Sequence, residues 1–312
     1  MGALLAALLS WRGLLQRLQP DILVAEFAPT AMLAARLEGA KYAAVGSGYA
    51  VPPSVCPMPF MRPWETTPST RLARLDADAT GAINAAFGLS AGRKASSLTA
   101  LRDLYPAQQS LLCTFPELDH YPDRVAAEYF GPVFSDRHGA EPRWPAGSGR
   151  RVFAYLDGSH VSGAGFIAAA KQMGVPVLVY ARGLDETDAE HASSPTVRVI
   201  AHAVQLQAAL AACDIVVCQG IGTASAALLA AKPLVLLPLH LEQAMIAFRV
   251  VSQGLGVAVA ESAGADELVQ AVRRVLDDAH HHARAAAFAA HYHGFQPSLA
   301  TEAVADSCEA LI

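Results

Sequence analysis

In the second half of the chain, short polar clusters follow runs of apolar, β-branched residues. Gly158-Ser159-His160 follows Val152–Leu156, Arg182-Gly183 follows Val177–Tyr180, and His202 follows Val197–Ile200. Gln219-Gly220-Ile221-Gly222-Thr223 follows Ile215–Cys218, and His240 with Glu242-Gln243 follows Leu234–Leu237. The cluster after Cys218 carries the most chemistry. A strand-to-helix turn needs one glycine, and this one has two, then a hydroxyl and a run of alanine-rich helix formers. Glycines let backbone approach a ligand, and the first N–H groups of a helix have no partner within it. Those donors and the positive end of the helix dipole suit a phosphate or diphosphate. Taken alone, the loop is explained equally well as a plain turn. Glu242-Gln243 sets a carboxylate beside an amide, a pair that accepts from and donates to several hydroxyls, as a sugar requires. An acid is also favoured in the first turn of any helix, with no ligand at all.

These clusters act together only if the strands before them are parallel. Strands over Val152–Leu156, Val177–Tyr180, Val197–Ile200, Ile215–Cys218, Leu234–Leu237 and Val257–Ala260 alternate with helical stretches, which predicts a doubly wound α/β domain. In such a sheet the carboxyl ends of the strands line one side of a cleft. Upstream, Leu4, Leu8, Trp11, Leu15 and Leu18 fall at helical spacing, with Leu5 and Leu9 beside them. A short strand is expected over residues 21–26, a helix from Pro29 to Leu37, and a strand over Tyr42–Val45 that ends in Gly46-Ser47-Gly48. The proline-rich segment Val51–Pro68 reads as a pocket-lining loop. Helical stretches are expected over 70–87 and 94–103, and further strands over 110–114 and 128–130. Residues 135–150 are polar, rich in Gly and Pro and without period, as in a linker. The expected organisation is therefore a domain over 1–134, a linker over 135–150, and a second domain over 151–312 whose tail from Asp266 is helical.

Composition narrows the function. The 312 residues suffice for two cores, and a net charge of -5 gives no basic footprint for nucleic acid. The apolar start is short and interrupted by Arg12 and Arg17, so it reads as a helix packed on a core rather than a transmembrane segment. Cys56, Cys113, Cys213, Cys218 and Cys308 are odd in number and contain no CxxC, which points to free thiols in the cytoplasm and away from structural zinc. Asp76-Ala77-Asp78 has the spacing of a metal-binding DxD but lies in a helical stretch, where a solvated face explains it. His280-His281-His282, with His291 and His293, also reads as solvated surface, because successive helical residues point apart. No metal site is expected. The glycines do not form GxGxxG, which disfavours a dinucleotide oxidoreductase. The sequence carries no signal for oligomeric state.

The block from VRVIAHAVQLQAALAACDIVVCQGIGTASAALLAAKPLVLLPLHLEQ to RVVSQGLGVAV resembles the nucleotide-sugar-binding region of GT-B glycosyltransferases. Within that fold it is similar to the bacterial UDP-glycosyltransferase-like group, which includes macrolide and flavonoid glycosyltransferases. The segment VAEFAPTAMLAARLEGAKYAAVGSGYAVPP resembles the later part of the same proteins' N-terminal domain, so the resemblance covers nearly the whole chain. It implies two Rossmann-like doubly wound domains, the first incomplete at its start.

The resemblance also implies roles. Gly220, Gly222 and Thr223 would hold a donor diphosphate, with Gln219 beside them and Ser159 contacting it from the opposite loop. His202 and Gln205 would lie at the base and ribose, and Glu242 and Gln243 at the donor sugar. The co-substrate would be a UDP or dTDP sugar, without any further cofactor, and the second partner a small, apolar hydroxyl acceptor. Inverting, metal-independent transfer follows. Three departures stand out. Gln219 takes the place of a His that touches diphosphate in the family, so the grip loses a charge. His202 stands where many members stack a Trp on the base. The strand and glycine loop carrying the family's base His have no counterpart before Leu23, so Glu26 would be a carboxylate without its His. Glu26 itself and His160 are the candidate general bases. A non-catalytic nucleotide-sugar-binding protein or inactive truncated transferase is the alternative, and a nucleotide-sugar epimerase a further one.

Overall fold

A computed structural model describes residues 2–91, 97–105, 110–125, 127–134 and 138–312. The chain forms two units, Met1–Val133 with Gln296–Ile312, and Phe134–Phe295. Residues 94–96 of the stretch read as helical, and 135–137 of the expected linker, lie outside the described residues.

The first unit opens with α1 (Gly2–Leu18), whose Leu8 and Leu15 are buried while Leu18 ends in solvent. Arg12 pairs with Glu38 at the end of α2 (Pro29–Glu38), joining the two helices. Pro29 begins α2, where a missing N–H costs nothing, and Gly39 ends it in the left-handed conformation. Between and after them run β1 (Leu23–Ala25), β2 (Tyr42–Gly46) and, further on, β3 (Ser110–Leu112), all parallel in the order β1-β2-β3. The expected strand over 128–130 reduces to a single bridge between Leu112 and Tyr129. The second expected helix is, among the described residues, one 3-10 turn at Leu101–Leu104.

Helix α3 (Ser69–Ala91) corrects one expectation. Asp76 is not solvated: it is 5% exposed and accepts hydrogen bonds from the backbone N–H groups of Met58 and Leu101. It thereby ties the segments on either side of α3, one at Met58 and one at Leu101, to the helix. Asp78 alone behaves as surface, near Arg74.

The second unit holds six parallel strands, β4 (Val152–Asp157), β5 (Val177–Arg182), β6 (Val197–Ile200), β7 (Ile215–Cys218), β8 (Leu234–Leu236) and β9 (Gly256–Ala258), in the order β6-β5-β4-β7-β8-β9. This is the doubly wound order, with its switch point between β4 and β7. Helices α4 (Val161–Ala170), α5 (Glu186–Ala192), α6 (Leu206–Ala212), α7 (Ile221–Leu229), α8 (Leu241–Ser252), α9 (Ala265–Asp277) and α10 (Ala279–His291) alternate with or follow the strands. Both sheet faces are covered, so β7 can be apolar at every position, and all four of its residues are buried.

Two further expectations change. The segment before β4 is partly built into this unit: Ala140 exchanges hydrogen bonds with Ala203 and Gln205, and a side chain on Gly139 would meet the Ala203 carbonyl at 2.5 Å. The tail is divided. α11 (Pro297–Glu309) belongs to the first unit, where its Cys308 packs with Ala43 and Leu111. Nor is the histidine run all solvent-facing. His281 is buried and its Nδ1 donates to the Gly254 carbonyl just beyond α8, which Arg284 also caps through Gln253. No described helix is long and apolar enough to cross a membrane.

Candidate functional site

The strand ends at the switch point of the second unit differ in how tightly they are built. After β4, Gly158 and Gly163 are demanded by packing: a Cβ on the first would meet Ala181 Cβ at 2.7 Å, and on the second the Asp157 carbonyl at 2.0 Å. Asp157, the last residue of β4, organises this side. Its carboxylate accepts from the Ser159 N–H at 3.1 Å and hydroxyl at 2.6 Å, and pairs with Arg182 at 3.2 Å. The Ser159 hydroxyl and the Arg182 guanidinium hold the Asp157 carboxyl below the usual carboxylate range. The Ser159 proton is thus committed to Asp157, and Ser159 offers a partner its oxygen lone pairs. Sequence reasoning missed Asp157; an acid directly before Gly-Ser at a strand end, able to close a local turn, was the available signal.

After β7 the turn is open. Gly220 is the N-cap of α7 with φ -113°, an ordinary extended value, and its nearest added neighbour would be Gln243 Nε2 at 4.0 Å. A Cβ on Gly222 would meet nothing within 4 Å. Neither glycine is required by backbone conformation or by crowding. Among the described residues no side chain caps α7, and its first intrahelical bond runs from Ala224 N–H to the Gly220 carbonyl. The N–H groups of Ile221, Gly222 and Thr223 precede that bond and gather at the positive end of the helix.

Gln219 turns away from the turn. Its Oε1 accepts from the Asp157 N–H at 2.9 Å, tying the end of β7 to that of β4. An N–H can only be met by the amide oxygen, so this bond fixes the orientation of the carboxamide and buries Nε2. Gln243 is fixed in the same way: Oε1 accepts from the Leu239 N–H at 2.8 Å, which leaves Nε2 toward Gly220. Glu242 is half-buried at the start of α8, 3.9 Å from His240 Nδ1. The structure therefore brings Gly220, Gly222, Thr223 and Gln243 around one turn, with Gln219 bracing that turn against β4 instead of facing into it.

His160 caps α4, its Nδ1 accepting from the Ser162 N–H at 3.3 Å while Nε2 faces Glu261 at 3.4 Å. Both ring nitrogens are engaged. His202 is exposed beyond β6, at the rim of two cavities of 470 and 330 Å³. Arg198 and Ile200 line both, and Val204 the smaller. Gln205 is exposed and opens α6.

In the first unit the carboxyl ends of the three strands also converge. Glu26 follows β1, and its Cγ and Oε1 lie 3.2 and 3.4 Å from the position of a Cβ on Gly46, whose φ of +129° favours glycine. Cys113, after β3, donates its N–H to the Gly46 carbonyl. Burial first, and then the Glu26 charge, push its thiol up to about 11, so it is no nucleophile near neutral pH. Beneath the loop after β2, Asp119 is fully buried and bonded to Arg124, Tyr129 and the Tyr121 N–H. None of this network was legible in sequence. Among the described residues no group of three or more His, Cys, Asp or Glu side chains is placed to hold a metal.

No protein-family profile matches the chain, and no curated protein matches it by sequence. Solved structures do match in fold. The spinosyn rhamnosyltransferase SpnG matches with a TM-score of 0.66 at 18% identity, over 97% of this chain and 77% of its own. The glycosyltransferase VinC in complex with dTDP gives 0.64 at 18%, over 96% and 75%. CalG4, the calicheamicin glycosyltransferase, gives 0.67 at 17%, over 96% and 79%. The chain shares the α/β fold of these GT-B glycosyltransferases, with its two Rossmann-like domains.

Proposed function

We propose that the protein is a glycosyltransferase that moves a sugar from a nucleotide-diphosphate donor to a hydroxyl of a small, apolar acceptor. One observation carries this reading: Gly220 and Gly222 are glycines that the fold itself does not need, at a helix start with uncapped N–H groups. A diphosphate supplies the missing reason, because it must come within hydrogen-bond distance of that backbone. The fold match supports it, since VinC was solved with dTDP and SpnG with thymidine diphosphate.

In the proposed reaction the acceptor oxygen attacks the anomeric carbon as the bond from that carbon to the diphosphate oxygen breaks. The leaving diphosphate takes the electron pair, and its new charge falls on the N–H groups of Ile221, Gly222 and Thr223. Inversion follows from a single displacement. Gln243 and Glu242 would hold the sugar hydroxyls, and Gln219 would act by fixing the turn against β4. His202 would stack beside the base at the 330 Å³ cavity, with Gln205 at the ribose. No metal is invoked for the diphosphate in this scheme. The acceptor proton would go to Glu26, which is exposed at the end of β1. His160 is the poorer base, because its nitrogens are taken by Ser162 and Glu261.

That shortage of bases favours a second reading, a protein that binds the nucleotide sugar without turning it over. Incubation with UDP- and dTDP-glucose and a phenolic acceptor separates the two. Release of nucleotide diphosphate with a glycosylated product supports transfer, and Glu26→Gln should lower it by about 10²–10⁴-fold. Binding with no product favours the second reading, and no binding contradicts both.

A further inference from the structure

A ring row leaves the same strand ends as Glu26. Phe27 follows Glu26 directly, is 56% exposed, and has a left-handed backbone with φ of 45°. That conformation is uncommon for a bulky residue and persists where the surroundings impose it. The ring packs on Tyr49, in the loop after β2, at a centroid distance of 4.8 Å and an angle of 31°. Tyr49 in turn lies 5.8 Å from the ring of the fully buried His120. The loop bearing Tyr49 is pinned twice. Gly48 admits the Asp119 carboxylate beneath it, where a Cβ would stand 2.0 Å from Oδ1, and Arg124 donates to the Val51 carbonyl at 2.7 Å. The Asp119–Arg124 pair is itself buried, so the support is rigid. An exposed aromatic alone means little. Here it is also strained, propped from behind and adjacent in sequence to a carboxylate.

We infer that Phe27, propped by Tyr49, is the acceptor platform of the first unit and selects acceptors carrying a flat, apolar ring. This inference rests on the glycosyl-transfer reading. The ring face would take the acceptor by offset stacking and turn its hydroxyl toward Glu26, one residue away. Phe27 is then a specificity residue that acts on acceptor binding without touching the donor.

The test uses the full chain and 4-methylumbelliferone as the acceptor probe, followed by its own fluorescence. Phe27→Ala should weaken probe binding about tenfold or more, and Phe27→Trp should restore it. In transfer assays with the same probe, Phe27→Ala should raise the acceptor KM and leave the dTDP dissociation constant unchanged. Equal probe affinity in native and Phe27→Ala proteins, or no probe binding to the native chain, overturns the assignment. So does a fall in Tm in Phe27→Ala with probe affinity unmoved, which would make the ring a packing residue. A parallel dTDP titration of the native chain tests the underlying reading by itself: its failure condemns the transferase proposal, and its success with a failed probe condemns only Phe27.

Discussion

At the scale of single residues, the informative comparison is between glycines. Gly158, Gly163 and Gly139 are fixed by neighbours that leave no room for a Cβ, whereas Gly222 faces open space. A methyl group there should therefore help the fold and hurt the ligand. Gly222→Ala is expected to raise unfolding free energy by up to about 1 kcal/mol, since alanine loses less entropy in a helix. The same change should weaken dTDP binding about tenfold or more. Calorimetric titration and denaturant unfolding of the two proteins check both halves. Asp157 offers a second residue-level test. Its folded pKa lies below the ordinary value because Ser159 and Arg182 bond to its charged form. The stability this contributes is present above the ordinary carboxylate pKa of about 4 and is lost as pH falls through the folded value. Native and Asp157→Asn proteins should thus differ in unfolding free energy at pH 7 and converge as pH drops below about 4.

Elements show what the sequence made legible and what it withheld. The β4–β9 alternation could be read closely because strands buried on both sides are continuous apolar runs with polar ends, and the turn after Cys218 announced itself by composition. The polar clasps could not be read, because each joins residues far apart in the chain. Asp76 had the look of a solvated helix face, yet it accepts from Met58 and Leu101. His281 sat in a run that resembled surface, yet it caps the end of α8 through Gly254. Gln219 matched a ligand-binding position by order, but its oxygen is spent on Asp157. Periodicity carries the apolar pattern of one element and says nothing of a hydrogen bond to another. The Asp76 clasp yields a prediction at this scale. Asp76→Ala strips two backbone N–H groups of their acceptor and should cost about 1–3 kcal/mol in urea unfolding. An unchanged midpoint would show that water replaces the carboxylate there.

For the whole molecule, the proposed transfer would take its donor on the unit Phe134–Phe295 and its acceptor on the unit formed by Met1–Val133 and Gln296–Ile312. The return of α11 to the first unit was invisible to a reading that followed chain order, because a helix carries no mark of the sheet it covers. Everything functional depends on the turn beyond β7 meeting an anion. The most direct measurement is a titration of the isotope-labelled full chain with dTDP, followed through its backbone amide resonances. Saturable shifts are expected, largest at Ile221, Gly222 and Thr223, with smaller ones near His202. Saturable binding that leaves those three amides unmoved, or no shifts at millimolar dTDP, would contradict it.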